Sequence, residues 1–172
     1  MIRSTAFGAL ALLSIGGVSA YAHVTANPDQ GLADAFLMTS FTVPHGCGGS
    51  STVTVRIKIP DGVSSVKPQM KPGWKVDIKM RKLAQPMKGE NGAMLTETVD
   101  EVDWTGGPLP DSMYDSFGFV MKMPAGAGQT LYFPTVQECE KGANRWINIP
   151  AAGQQWHDVR EPAPFVKLTA PR

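Results

Sequence analysis

A chain of 172 residues that sets 16 Lys and Arg against 15 Asp and Glu carries too little net charge to be held by nucleic acid or by an anionic membrane surface. It holds no Gly-x-Ser-x-Gly turn, phosphate loop or zinc-protease helix, and its acids are scattered, so hydrolase and nucleotide chemistry have no foothold. Arg3 precedes an apolar run from Ala6 to about Val18, and Ser19-Ala20-Tyr21-Ala22 offers the small-x-small pattern that a signal peptidase reads. Cleavage after Ala22 is expected, making residues 1–22 a signal peptide and 23–172 one exported domain. The apolar run, about 13 residues, is too short to span a bilayer, and no cysteine stands near the cleavage point, so no stable membrane anchor is expected after cleavage. Cleavage removes Arg3 and no acid, which leaves the mature chain formally neutral.

The mature sequence reads as short alternating strands punctuated by Gly and Pro, without a sustained helical period. Residues 35–43 form the first clear strand, closed by Pro44-His45-Gly46-Cys47-Gly48-Gly49. In 52–59, Val53, Val55, Ile57 and Ile59 alternate with Thr54, Arg56 and Lys58, a strand with one wet face. Strands follow at 73–79 and 94–105, with 85–91 as loop. Phe117, Phe119, Met121 and Met123 alternate up to Pro124, and 125–128 predicts a hairpin into 130–137. A strand at 144–149 and an edge strand at 165–169 complete an all-β, immunoglobulin-like antiparallel β-sandwich of about seven to nine strands. A closed barrel is the alternative.

Only Cys47 and Cys139 occur, both in the exported part, where an oxidising compartment favours a disulfide. A thiolate metal pair would need protection from oxidation.

Cleavage leaves His23 as residue one, and a terminal histidine offers its α-amino nitrogen and ring Nδ1 to one metal in a single chelate ring. Nitrogen donors in a tetragonal arrangement suit Cu(II). Both groups must lose protons to bind, since the amine titrates near pH 8 and imidazole near pH 6.5. The bland alternative is a solvated histidine that happens to follow a cleavage site. His45 and His157 complete a two-histidine site only if folding brings either one to His23. Met80, Met87 and Met94 recur at intervals of seven, but they bracket a loop and a strand, and Met121 and Met123 share a strand face as core fillers, so a Cu(I) thioether site is discounted. Trp74, Trp104, Trp146 and Trp156 read first as core or edge aromatics.

Taken in order, several motifs resemble the YcnI-like copper-binding domains of exported bacterial proteins. They are His23-Val24-Thr25 after Ala22, Phe41-Thr42-Val43-Pro44-His45-Gly46-Cys47, Gly73-Trp74, Phe117-Gly118-Phe119, Leu131 to Gln137, and Arg145-Trp146-Ile147. The resemblance covers essentially the whole mature chain. It implies a β-sandwich whose Cu(II) is held by the amine and ring of the first mature residue, His23, and by a carboxylate, with Trp146 flanking the metal. Family members often carry an acid just before the Phe-x-Phe strand, whereas here Ser116 stands in that place and Asp115 one earlier. Neighbouring strand residues face opposite sides, so this one-residue offset counts against Asp115; it stays the first candidate ligand by a narrow margin, with Glu138 and Glu140 as its substitutes. Water or His45 completes the coordination if no carboxylate reaches. The Cys47 and Cys139 pair resembles the Gram-negative form of the family, which implies a periplasmic disulfide tying loop 44–49 to loop 138–142.

The function implied is a non-enzymatic copper carrier in acquisition or homeostasis. Its partners would be the copper ion and a copper uptake membrane protein or a periplasmic copper chaperone. A copper-dependent oxidative enzyme resembling lytic polysaccharide monooxygenases is the rival from another class, requiring a second histidine and a flat polysaccharide-binding face. A structural sandwich without metal is the third reading.

Overall fold

The computed structural model describes residues 23–90 and 92–171, so the expected signal peptide lies outside the described residues. Twelve strands run through them: β1 Thr25–Asn27, β2 Gln30–Leu32, β3 Phe36–Val43, β4 Thr52–Lys58, β5 Ser64–Pro68, β6 Trp74–Lys88, β7 Met94–Leu109, β8 Asp115–Lys122, β9 Thr130–Tyr132, β10 Thr135–Cys139, β11 Ala143–Trp146 and β12 Phe165–Thr169. The helical content of the described residues is a single 3-10 turn, Trp156–Asp158. No helix among them is long and apolar enough to cross a membrane.

The strands form a four-stranded sheet in the order β1-β3-β8-β5, a five-stranded sheet β11-β10-β4-β7-β6 and a small sheet β2-β12-β9. The two larger sheets share the core. Alternation along β3 and β8 turns Phe41, Val43, Phe117, Phe119 and Met121 inward, against Val55, Ile57, Val102 and Trp104 from the five-stranded sheet. Trp104 bridges the layers, meeting Phe117 and Phe119 edge-on at 5.4 and 5.1 Å. The all-β sandwich expected from the alternation is the architecture present.

Several details differ from the pattern reading. The strands number twelve because three-residue pieces, β1, β2 and β9, are too short to carry a period. Residues 85–88, expected as loop, continue β6: it is the edge strand of its sheet, where Pro86 removes no needed ladder donor, and its ladder with β7 shifts between Lys82 and Met87. No hairpin joins β8 to the following strand. Pro134 divides 130–137 in two, with β9 pairing β12 and β10 pairing β4 and β11 in another sheet. The strand at 165–169 is central, running parallel to β2 and antiparallel to β9, and is not an edge. The strand expected at 144–149 ends at Trp146.

In β4, Thr52 and Thr54 are buried, beside a register shift in the β4–β7 ladder. The extra residues of β7 fall at Gly106 and Gly107, both at positive φ, where a Cβ on Gly106 would overlap the Gly73 carbonyl.

Candidate metal centre

The described chain opens at one end of the sandwich. Val24 is fully buried and Ala26 nearly so, and these two side chains seat β1 on β3, with Thr25 opposite Thr42. His23 is therefore anchored two residues before a strand rather than trailing in solvent, and it is half-buried. Its ring meets Trp156 edge-on at 5.1 Å and Trp146 at 5.8 Å. Such contacts contribute about 0.5–1.5 kcal/mol each beyond the burial of their area.

Trp146 is fixed by a buried polar hub. It closes β11 opposite Thr135 of β10, is 4% exposed, and donates its Nε1–H to Gln137 Oε1 at 3.1 Å. Gln137 is fully buried and uses both ends of its amide. Nε2 donates to the His45 carbonyl at 2.6 Å and to Thr52 Oγ1 at 2.8 Å, while Oε1 also accepts from Asn144 Nδ2 at 3.1 Å. Every donor and acceptor site of the amide is thereby filled, which is what allows it to sit in the core.

The loop carrying His45 is held from two further directions. Cys47 is joined to Cys139, the residue that ends β10, with Cα atoms 6.0 Å apart. The expected disulfide is thus present, and it removes the thiolate pair as an alternative. The Cys47 and Ser50 backbones also bond each other reciprocally, and a Cβ at Gly46 would overlap the Ser50 carbonyl, so this tight loop requires glycine there. The His45 ring lies 6.4 Å from Trp146, with Nδ1 2.6 Å from the Gly46 carbonyl.

Trp156 comes from the 3-10 turn after β11. Its Nε1 donates to the Ala163 carbonyl at 2.7 Å and its ring packs edge-on against Phe165 at 5.6 Å. The next residue, His157, is 71% exposed at its side chain, with Nε2 3.6 Å from Asp158 Oδ1. Burial pushes the His23 imidazole below its ordinary pKa, and the nearby His157 adds to the depression. All three histidines of the sequence thus gather around Trp146 and Trp156.

The expected carboxylates are engaged elsewhere. Asp115 begins β8 opposite Val43, on the inward side with Phe117, while Ser116 shares the outward side with Thr42 and bonds its hydroxyl at 3.0 Å. Asp115 Oδ1 accepts from Lys71 Nζ at 2.6 Å and from the Ser116 amide. Glu138 faces the opposite side of β10 from Gln137 and grips Arg56 through both oxygens, at 2.6 and 2.9 Å. Glu140 is exposed beyond the disulfide, its amide bonded to the Ser51 carbonyl. Among the described residues, no three His, Cys, Asp or Glu side chains stand close enough together to hold a metal as they are.

Met121 and Met123 are core residues, as expected. Met80 and Met94 are exposed on the β6–β7 hairpin, and Met87 and Met94 oppose Leu95 and Lys88, on alternate faces of the ribbon.

Pattern reasoning overlooked Gln137 and the part played by Trp156. Gln137 did leave a signal, a large polar residue at an inward position of the alternation Thr135, Gln137, Cys139. Trp156 left none, because its place beside His23 depends on the return of the chain after β11.

The two packed sheets, with the histidine-tryptophan cluster at one end, define an all-β, immunoglobulin-like sandwich domain. Residues 23–168 match the family described as Domain of unknown function (DUF1775), and the chain belongs to that family. It is similar to a solved structure described as the crystal structure of an uncharacterized protein from Nocardia farcinica that reveals an immunoglobulin-like fold. The TM-score is 0.65 at 22% identity, over 86% of this chain and 98% of that one, a likeness of fold. No curated protein matches the sequence.

Proposed function

We propose that the mature protein begins at His23 and binds one Cu(II) through the α-amine and imidazole of that residue, as a periplasmic copper carrier and not an enzyme. The observation that carries this reading is the seating of His23: its ring is half-buried against two tryptophans while Val24 anchors the chain immediately behind it. A terminal chelate on an anchored residue loses less freedom on binding metal than one on a loose tail. Burial also supports it, because an imidazole held below its ordinary pKa gives up its proton more readily to a cation.

Trp146 forms one wall of the site and the Gln137 hub keeps that wall in place. Asp115 is the third ligand that the YcnI-like resemblance puts forward, and copper would have to take it from Lys71. Copper here is cargo. A site at a chain terminus on the edge of a sandwich is open to a partner, either a copper uptake membrane protein or a periplasmic copper chaperone.

The test is a Cu(II) titration of protein starting at His23 and of a version with one alanine added before it. One-to-one binding that is lost in the extended version is the expected result. Equal binding by both overturns the terminal chelate. Oxidation of chitin or cellulose by the copper-loaded protein with peroxide would replace the carrier reading with an oxidative enzyme.

A further inference from the structure

We infer that His157 supplies a second imidazole to the ion held at His23, so that the site is built from three nitrogens and not from one histidine and a carboxylate already bonded to Lys71. The inference rests on the reading of His23 as the copper terminus.

Trp156 is locked by its bond to the Ala163 carbonyl and by Phe165, and its ring lies 5.1 Å from that of His23. His157 follows it within the same one-turn 3-10 element, so its backbone is held beside the chain terminus while its side chain is largely in water. An exposed imidazole changes rotamer freely and quickly. The Asp158 carboxylate stands 3.6 Å from its Nε2, too far for a hydrogen bond that would fix the ring.

Two imidazoles that reach the same point repel when both are protonated and bind a cation when each offers it a lone pair. With the amine, the two rings provide three nitrogen donors, a set that suits tetragonal Cu(II). Asp158 beside the ring leaves a carboxylate to balance part of the charge. His45 reaches Trp146 but carries its Nδ1 against the Gly46 carbonyl within a loop held by the disulfide, so it is less able to turn.

The experiment compares four proteins, each labelled with nitrogen-15 histidine and loaded with one equivalent of Cu(II): the chain starting at His23, its His157→Ala and His45→Ala variants, and the alanine-extended chain. Pulsed electron paramagnetic resonance counts the coordinated imidazoles, and competition with a chelator gives affinity. Two imidazoles are expected in the first protein. One is expected in His157→Ala, with affinity lower by about tenfold or more. His45→Ala is expected to match the first protein. Thermal unfolding without metal serves as the folding control, and the exposure of His157 makes an unchanged midpoint the expectation. Unchanged imidazole count and affinity in His157→Ala overturn the role of His157 while leaving the terminal chelate standing, and so does loss of an imidazole in His45→Ala instead. Native affinity in the extended chain overturns the chelate itself.

Discussion

The indole of Trp146 donates to the side-chain oxygen of Gln137, and through the other end of the same amide it is coupled to the backbone of His45. Gln137→Leu would strand the indole N–H and take a partner from the His45 carbonyl, from the Asn144 amide, which keeps the Gly46 carbonyl, and from the Thr52 hydroxyl, which keeps Cys139 Sγ. An orphaned buried polar group costs about 1–3 kcal/mol, and such costs are not additive within one network. The expected loss is about 3 kcal/mol or more in urea unfolding, with a shifted tryptophan emission. A loss under about 1 kcal/mol would mean that water replaces the hub.

The disulfide closes a loop with a sequence separation of 92 residues between Cys47 and Cys139. In the chain-entropy account, removing it with Cys47→Ser and Cys139→Ser costs roughly 4 to 5 kcal/mol. Copper affinity is the second readout. The bridge holds both the His45 loop and the strand bearing Gln137, so the Trp146 wall should loosen and Cu(II) binding should weaken. Reduced protein with unchanged copper affinity would show that the bridge serves the fold alone.

The sandwich was legible because its long strands alternate: β3, β4 and β8 follow from Phe41, Ile57, Phe117 and their spaced neighbours with little shift in bounds. The pairing was not. Pro134 sends two adjacent strands into different sheets, and nothing local distinguishes that break from a bend within one strand. Exposed Lys and Glu on β6 and β7 hid a ribbon that outruns the core, since a strand beyond the sandwich has no apolar face to declare it. At the candidate site, the pairing of Cys47 with Cys139 was legible because the chain holds no other cysteine, while His23 was singled out only by the cleavage expected before it. Trp156 reaches His23 through a contact between residues more than 130 apart, beyond the range of any periodicity.

Asp100 gives the acid limb of stability. The hydrogen bond from Lys58 Nζ, at 2.8 Å, outweighs burial and, with help from Arg81, holds the carboxyl below its ordinary value. A carboxyl depressed in the fold stabilises it above the unfolded pKa, and that contribution disappears as pH falls through the folded one. Stability should therefore decline below about pH 4. Asp100→Asn should be less stable by about 1 kcal/mol at pH 6, discounted for the exposure of Lys58, and flatter in acid. Parallel acid profiles for the two proteins, measured by urea unfolding from pH 6 to pH 2.5, would remove Asp100 from this role.

Asp115 separates the geometry from the resemblance. Its carboxylate lies on the Val43 and Phe117 side of β8, bonded to Lys71, whose ammonium also sits 5.0 Å over the Phe117 ring. Because Lys71 is only 17% exposed, Asp115→Ala leaves a largely buried cation with the Ser116 carbonyl as its remaining bonded partner, and a loss of about 1–2 kcal/mol is expected. Copper affinity should change by less than about threefold, below 1 kcal/mol on the binding scale. Should affinity instead fall tenfold or more, Lys71→Met becomes decisive. If Asp115 ligates copper, releasing it from the ion pair should tighten binding, whereas if Asp115 only steadies the strand end, Lys71→Met should leave binding as it was and lower stability alone.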